Sequence, residues 1–309
     1  VAFLNDALAN PDNERGQYMF FDTDGDGLGD VYINTSMQGG SGSEPGARTV
    51  KMFSPSVAGR IVYNTGSGQY ETITTPTDYS DHPVAGVSWY GAVKYCNWLT
   101  IDQGFPLEER CYTENTHANL TAWRPITITT ADWETRDLND GERLALVTEY
   151  LGYRLPMDQG YNNASPGADS ADAYNEWYMA AAWNGSSNTL FGFGRSTITG
   201  ADANYVDSGD PFDNGTTPVG YYDGTDQGGF QTNANENALG LFDMSGNAYQ
   251  WIQGRFNTHA QSINYRVMRG GSWNNAATGS QGLETTTRVF TITSLTNGQI
   301  GFRVVRSAP

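Results

Sequence analysis

The last third of the chain is punctuated by glycine, with aromatic residues between the glycines. Three runs carry the pattern: 238–251 (ALGLFDMSGNAYQW), 266–275 (RVMRGGSWNN) and 300–306 (IGFRVVR). Such runs are bounded by turn residues and read as short strands joined by tight loops. Gly270-Gly271 ahead of Ser272-Trp273 lets a strand backbone approach another element closely. Asp243, Gly246, Asn247 and Ala248 crowd short oxygen-bearing groups into one turn, a suitable place for a hard cation.

The rest of the composition narrows the class. The chain has 309 residues, 37 of them Gly, and only 17% are charged. That suits an ordered body with long loops, not a disordered chain. The formal net charge is −17, so nucleic acid and anionic membrane surfaces would repel it. Acidity of this kind also arises from a saline habitat, with no partner implied. No run of 18 apolar residues occurs, so no transmembrane helix or membrane insertion is expected. The two cysteines, Cys96 and Cys111, are either one disulfide or two buried thiols.

Read along its length, the chain predicts a helix over residues 1–9. That helix has no N-cap before it, so the numbered chain is expected to start inside a longer precursor. Short strands are predicted around 60–63 and 70–73, with a Gly-Ser-Gly turn between them. Ser88 is the expected N-cap of a helix whose apolar positions are Tyr90, Val93, Tyr95, Trp98 and Leu99. Further helices are predicted over 140–151 and 173–182, and almost all loop with short strands beyond 185. No repeat or linker divides the chain. Helices early, then strands and loops, predict one α+β domain over 1–309.

The three C-terminal runs, in this order, resemble the sulfatase-modifying-factor family, whose best-known member is the formylglycine-generating enzyme. The likeness extends to residues 83–92 (PVAGVSWYGA), to Tyr153-Arg154-Leu155-Pro156 and to residues 175–181 (NEWYMAA). It also includes Thr217-Pro218-Val219-Gly220, likened to a strand ahead of the Gly-Leu-Phe-Asp segment, and covers about 83–306. The resemblance implies the formylglycine-generating-enzyme subtype of the C-type lectin fold, loop-rich and poor in regular structure.

What the resemblance implies for chemistry is partly missing. The family's oxidases carry two thiols after Gly-Gly-Ser that bind copper, a soft metal suited to thiolate. Here the stretch from Ser272 to Ile300 has neither Cys nor His. Formylglycine generation is therefore not expected. His82, His117 and His259 stand at no ligand spacing and are expected to be surface or hydrogen-bonded histidines.

Calcium is the cofactor the resemblance implies. One site would use the Asp243 and Gln250 side chains with the Gly246 and Ala248 carbonyls. Gln250 stands where the family often has Glu. A second would use the Asn204 and Asp210 side chains with the Tyr205 and Phe212 carbonyls.

A third candidate owes nothing to the family. Asp22, Asp24, Asp26 and Asp30 occupy positions 1, 3, 5 and 9 of an EF-hand-like loop, with Gly27 at the sharp turn and Leu28 offering its carbonyl. Position 12 is Ile33, so no bidentate Glu follows. A solvated acidic turn is the plain alternative.

Trp273, Asn274 and Asn275, with Arg288, are the expected ligand surface, and the Thr-rich stretch 285–299 is read either as a contact surface or as an exposed loop. The function expected is a secreted, extracellular or periplasmic, non-catalytic domain stabilised by calcium. It would present a groove to a protein or glycan ligand, or self-associate. Two alternatives stand beside it. One is an enzyme of the family using Arg269, Arg288, Glu284 or Asp243. The other is a self-assembling filament or surface-layer subunit.

Overall fold

The computed structural model describes residues 1–25, 28–43, 50–58, 60–158, 175–212, 214–256 and 264–307. The first helix, α1 (Ala2–Ala9), buries Leu4 and Ala7. Strands β1 (Met19–Asp22) and β2 (Val31–Ile33) then pair antiparallel, Met19 opposite Ile33 and Phe21 opposite Val31. With β3 (Gly40–Gly42) and β4 (Lys51–Phe53) they make a four-stranded sheet in the order β3-β1-β2-β4. A short helix α2 (Pro55–Ala58) leads to the hairpin β5 (Ile61–Asn64) and β6 (Gln69–Thr72), where the sequence placed it. A complete sheet therefore precedes the long helix, which the reading of helices first had not anticipated.

The helix α3 (Trp89–Asp102) begins where Ser88 Oγ accepts the Gly91 N–H at 3.3 Å. A Cβ on Gly91 would lie 2.1 Å from the Met52 carbonyl oxygen, so glycine lets this helix press against β4. Burial runs almost all round α3, through Trp89, Tyr90, Val93, Cys96 and Trp98. One core therefore joins α1, the first sheet, α3 and strands of the second sheet. Lys94 Nζ meets Glu114 Oε2 at 2.6 Å inside that core, and Asn97 Nδ2 donates to Glu114 Oε1 at 2.8 Å.

After α3 come the two-residue strands β7 (Tyr112–Thr113) and β8 (Arg124–Pro125), paired antiparallel. Helices α4 (Thr130–Thr135) and α5 (Asp140–Thr148) follow. Asn139 and Glu142 form a reciprocal capping box that starts α5. Strand β9 (Tyr153–Arg154) precedes α6 (Glu176–Ala182), whose Glu176 grips the Arg154 guanidinium at 2.5 and 2.7 Å. Residues 185–248 contain no strand longer than an isolated bridge among the described residues, and Thr217–Gly220 forms no strand, its last two residues lying in a turn.

The second sheet, ordered β12-β11-β10-β13, is built from β10 (Tyr249–Arg255), β11 (Tyr265–Arg269), β12 (Val289–Ile292) and β13 (Ile300–Phe302). β12 lies in the Thr-rich stretch read above either as a contact surface or as an exposed loop. The last strand, β14 (Val305–Arg306), returns to pair with β9. Under the second sheet, the Arg266 guanidinium carbon lies 4.6 Å from the Trp89 ring and 4.5 Å from the Trp133 ring. Burial pushes Arg266 down to about 9. Helices, strands and long loops in one fold match the α+β expectation.

Candidate functional site

The turn after β11 sets the site. Gly270 and Gly271 have φ of 88° and 71°, the left-handed region that glycine occupies without strain. A Cβ on Gly271 would meet Leu283 Cδ1 at 2.9 Å, so the close approach expected of this pair is present. The turn delivers Ser272, whose hydroxyl donates to Asn275 Oδ1 at 2.5 Å. Trp273 N–H donates to the Asn247 carbonyl at 2.9 Å, and Val206 N–H to the Asn275 carbonyl at 3.0 Å. The segment 272–275 is thus tied to two loops at once.

Between them is a cleft of about 460 Å³, lined by Tyr205, Asp207, Asp210, Asn214, Trp273 and Asn274 among others. Asn274 is exposed, Trp273 half-buried and Asn275 buried. The structure therefore joins the expected ligand surface to the Asn204–Asp210 set. It does not join Arg288, whose side chain is largely buried and donates to Asp158 Oδ2 at 2.9 Å. Arg269 shares that oxygen at 2.8 Å. The Asp158 carboxyl is held below its ordinary range by the two guanidinium groups, against the opposing effect of burial.

The oxygen sets differ in readiness for a cation. Asp210 accepts from Ser208 Oγ at 2.6 Å, Phe212 N–H at 2.9 Å and Tyr222 O–H at 3.3 Å. Asn204 Nδ2 donates to the Gly215 carbonyl at 2.9 Å, and the carbonyls of Tyr205 and Phe212 accept N–H groups of Ser208 and Gly215. This set is compact and lines the cleft, and an ion entering it would compete with these donors.

The Asp243 set lies beside a smaller cleft of about 180 Å³ lined by Asp243, Asn247, Ala248, Gln250 and Arg303. Gln250 Oε1 already accepts from Trp177 Nε1 at 2.7 Å and Arg303 Nε at 3.0 Å. As arranged, that oxygen does not fit a metal. Burial raises the Asp243 carboxyl, with the Gly220 N–H and Arg303 acting against it. Gly246 packs so tightly that a Cβ there would clash with the Asn204 carbonyl oxygen. The two family-implied sets are therefore neighbours.

In the acidic loop, Asp22 and Asp30 are buried, Asp24 and Leu28 exposed, and Asp26 and Gly27 lie outside the described residues. Asp30 meets Lys51 Nζ at 2.5 Å and Ser54 Oγ at 2.6 Å. Among the described residues no three His, Cys, Asp or Glu side chains converge as a metal cluster.

Cys96 and Cys111 are free and buried in the main core, which settles the choice left open between disulfide and thiols. Burial pushes the Cys111 thiol up to about 12 and Cys96 well above its ordinary value. Neither is poised to react. His82 Nδ1 lies 3.0 Å from Thr216 Oγ1 and its ring packs on Phe212, while His259 lies outside the described residues. Of the family-type acid and base candidates, Glu284 accepts from Gly279 N–H at 3.1 Å and stands with none of the other three in an ion pair. Lys51 and Arg303 were not singled out beforehand. Arg303 lay within a quoted run, and nothing in that run announced its partner.

Residues 62–308 match the family described as the sulfatase-modifying factor enzyme 1-like domain. The chain belongs to this family. Among curated proteins, this family member is 27% identical over 203 residues to "Chaperone protein LppX" of Paenibacillus barcinonensis. That match covers 62% of the chain and 59% of the relative, so the chain spans less than two thirds of the relative's length. Among solved structures, CarF aligns with a TM-score of 0.49 and 21% identity, covering 77% of this chain and 72% of that one. Treponema denticola variable protein 1 aligns at 0.45 and 22%, covering 81% and 78%. PvdO of Pseudomonas aeruginosa aligns at 0.42 and 20%, covering 75% and 64%. No helix among the described residues of this sulfatase-modifying-factor-like domain is long and apolar enough to cross a membrane.

Proposed function

We propose that this domain is a secreted, non-catalytic binding module that presents the Trp273–Asn274 cleft to a polypeptide partner. The observation that carries the reading is the make-up of that cleft. Its walls are an indole, amides, hydroxyls and the carboxylates of Asp207 and Asp210, with no thiol and no imidazole. A cleft of about 460 Å³ is of ligand-binding size. A half-buried Trp is the type of residue that anchors protein interfaces. Both thiols of the chain are sealed in the core, away from solvent and protonated.

The relative from Paenibacillus is named a chaperone, and a chaperone's partner is another protein. That favours a polypeptide over a glycan or a copy of the same chain. Calcium at Asn204 and Asp210 would stiffen one wall of the cleft. Export to the extracellular or periplasmic space is consistent with the acidic charge and with that ion.

The test is an array of proteins and glycans probed with the purified domain and with the double variant Trp273→Ala, Asn274→Ala. Binding to protein that falls at least about tenfold in the variant supports the reading, since that is the cost of losing one anchor of about 1.4 kcal/mol. Binding that the variant leaves intact overturns it. So does conversion of a cysteine peptide to its formylglycine form by the unsubstituted domain.

A further inference from the structure

We propose that the turn after β1 holds a divalent cation, calcium by preference, through the Asp22 and Asp24 carboxylates. The inference is independent of the cleft and of the reading given to it. The sequence pattern alone, an acidic turn, would not carry it. The structure adds an unanswered group: Asp22 is fully buried, and its Oδ2 has no hydrogen-bond partner.

The other oxygen shows where the carboxylate faces. Asp22 Oδ1 accepts the Gly25 N–H at 2.7 Å, and a Cβ on Gly25 would collide with both oxygens. The carboxylate is therefore folded back over its own loop, against Gly25. The loop is closed by the Asp22 N–H donating to the Asp30 carbonyl at 2.9 Å and the Gly29 N–H to the Asp22 carbonyl at 2.6 Å.

Charge around the turn is unbalanced. Lys51 answers Asp30 at 2.5 Å, together with Ser54 and the Tyr32 hydroxyl. No ion pair reaches Asp22 or Asp24 among the described residues. The Tyr70 hydroxyl donates to the Gly29 carbonyl at 2.9 Å and is pushed up, first by burial and also by Tyr63 and the Asp30 and Asp22 charges. A buried carboxylate with an idle oxygen is costly unless a proton or a cation meets it. Carboxylate oxygens are hard donors, which excludes soft metals. Calcium accepts an irregular set of six to eight oxygens, completed by loop carbonyls and water, whereas magnesium demands a near-ideal octahedron.

Calcium alone is the probe. Calorimetric titration and thermal melts of the metal-stripped domain are run with Asp22→Asn, Asp24→Asn and the unsubstituted protein. Asp22→Asn keeps the acceptor for Gly25. Asp24 is exposed, so Asp24→Asn leaves the fold intact. Calcium is expected to raise the melting temperature of the unsubstituted protein, and Asp22→Asn to abolish the part due to this loop. Asp24→Asn is expected to weaken the corresponding Kd about tenfold, the loss of one ligand charge at about 1.4 kcal/mol. No heat and no shift in the unsubstituted protein overturns the proposal. A shift that persists unchanged in both variants also overturns it, and leaves Asn204 and Asp210 as the seat of the ion. Neither result tests partner binding at the Trp273 cleft, which the array experiment reads by itself.

Discussion

Arg303 Nε donates to the side-chain oxygen of Gln250 at 3.0 Å, beside the smaller of the two clefts. The same oxygen accepts from Trp177 Nε1 at 2.7 Å, and Gln250 Nε2 donates to the Asp243 carbonyl at 3.0 Å. One amide therefore joins α6, the Asp243 turn and the segment after β13. Gln250→Ala strips the acceptor from an indole and a guanidinium together. Each orphaned buried donor costs about 1–3 kcal/mol, so a loss of about 3 kcal/mol in a urea titration is expected. A loss below 1 kcal/mol would mean that water replaces the amide without cost.

The Lys94–Glu114 pair makes the next expectation. Both side chains are withdrawn from solvent, and Lys94 Nζ also donates to the Glu14 carbonyl at 2.8 Å. Burial pulls the Lys94 ammonium down, and Glu114 holds it up. Lys94→Met leaves Glu114 charged in the core, with Asn97 as its remaining side-chain donor among the described residues. Breaking a buried pair costs about 3–5 kcal/mol, while replacing both partners with apolar residues is often close to neutral. Lys94→Met should therefore fall by that amount in chemical denaturation, and the double variant Lys94→Met, Glu114→Met should recover most of it. Equal losses in both would assign the effect to packing.

These two networks mark the limit of what the sequence discloses. Ser88 and the apolar spacing after it were enough to place α3, because capping and periodicity are local. The β5–β6 hairpin was legible for the same reason. The strand over 289–292 was passed over although Val, Phe, Thr and Ile all favour strands, because the Thr-, Ser- and Asn-rich residues on either side of it masked the run that pairs with β11. The candidate cleft was half legible. Trp273 and Asn274 follow from the Gly-Gly turn, but the opposing wall at 205–210 comes from a loop whose position only tertiary contacts set. Arg288 looked free because its partner Asp158 lies 130 positions away in the chain. No sequence spacing announces such a pair.

Gly91 sets two opposing effects against each other. Alanine in a helix interior is favoured over glycine by about 1 kcal/mol. Against this, the added Cβ would stand 2.1 Å from the Met52 carbonyl oxygen, and that contact is backbone, which cannot rotate away. Overpacking of this kind costs about 1–3 kcal/mol, and a backbone clash belongs at the upper end. Gly91→Ala is therefore expected to be destabilised by about 2 kcal/mol in denaturant titration. Stabilisation instead would show that α3 and β4 can separate freely.

His82 should set an acid limit of its own. Burial lowers its imidazole to about 4, from an ordinary value of 6.5, and the nearby Arg60 guanidinium adds to the shift. Asp81 and Asp78 oppose it, as does the hydrogen bond with Thr216. Nε2 is buried without a partner, and the ring packs edge-on against Tyr79 and Phe212. The sign follows from proton uptake. Between pH 6.5 and 4 the unfolded chain holds more proton at this site than the folded one, so stability rises with pH there. The contribution of neutral His82 is complete above 6.5 and is lost as pH falls towards 4. His82→Phe keeps an aromatic ring against Tyr79 and Phe212 but takes up no proton. Melting temperatures measured from pH 7 to pH 4 should therefore fall more steeply for the unsubstituted protein than for the variant. Parallel curves would place the acid sensitivity elsewhere, in carboxylates such as Asp158 whose ionised form the fold favours.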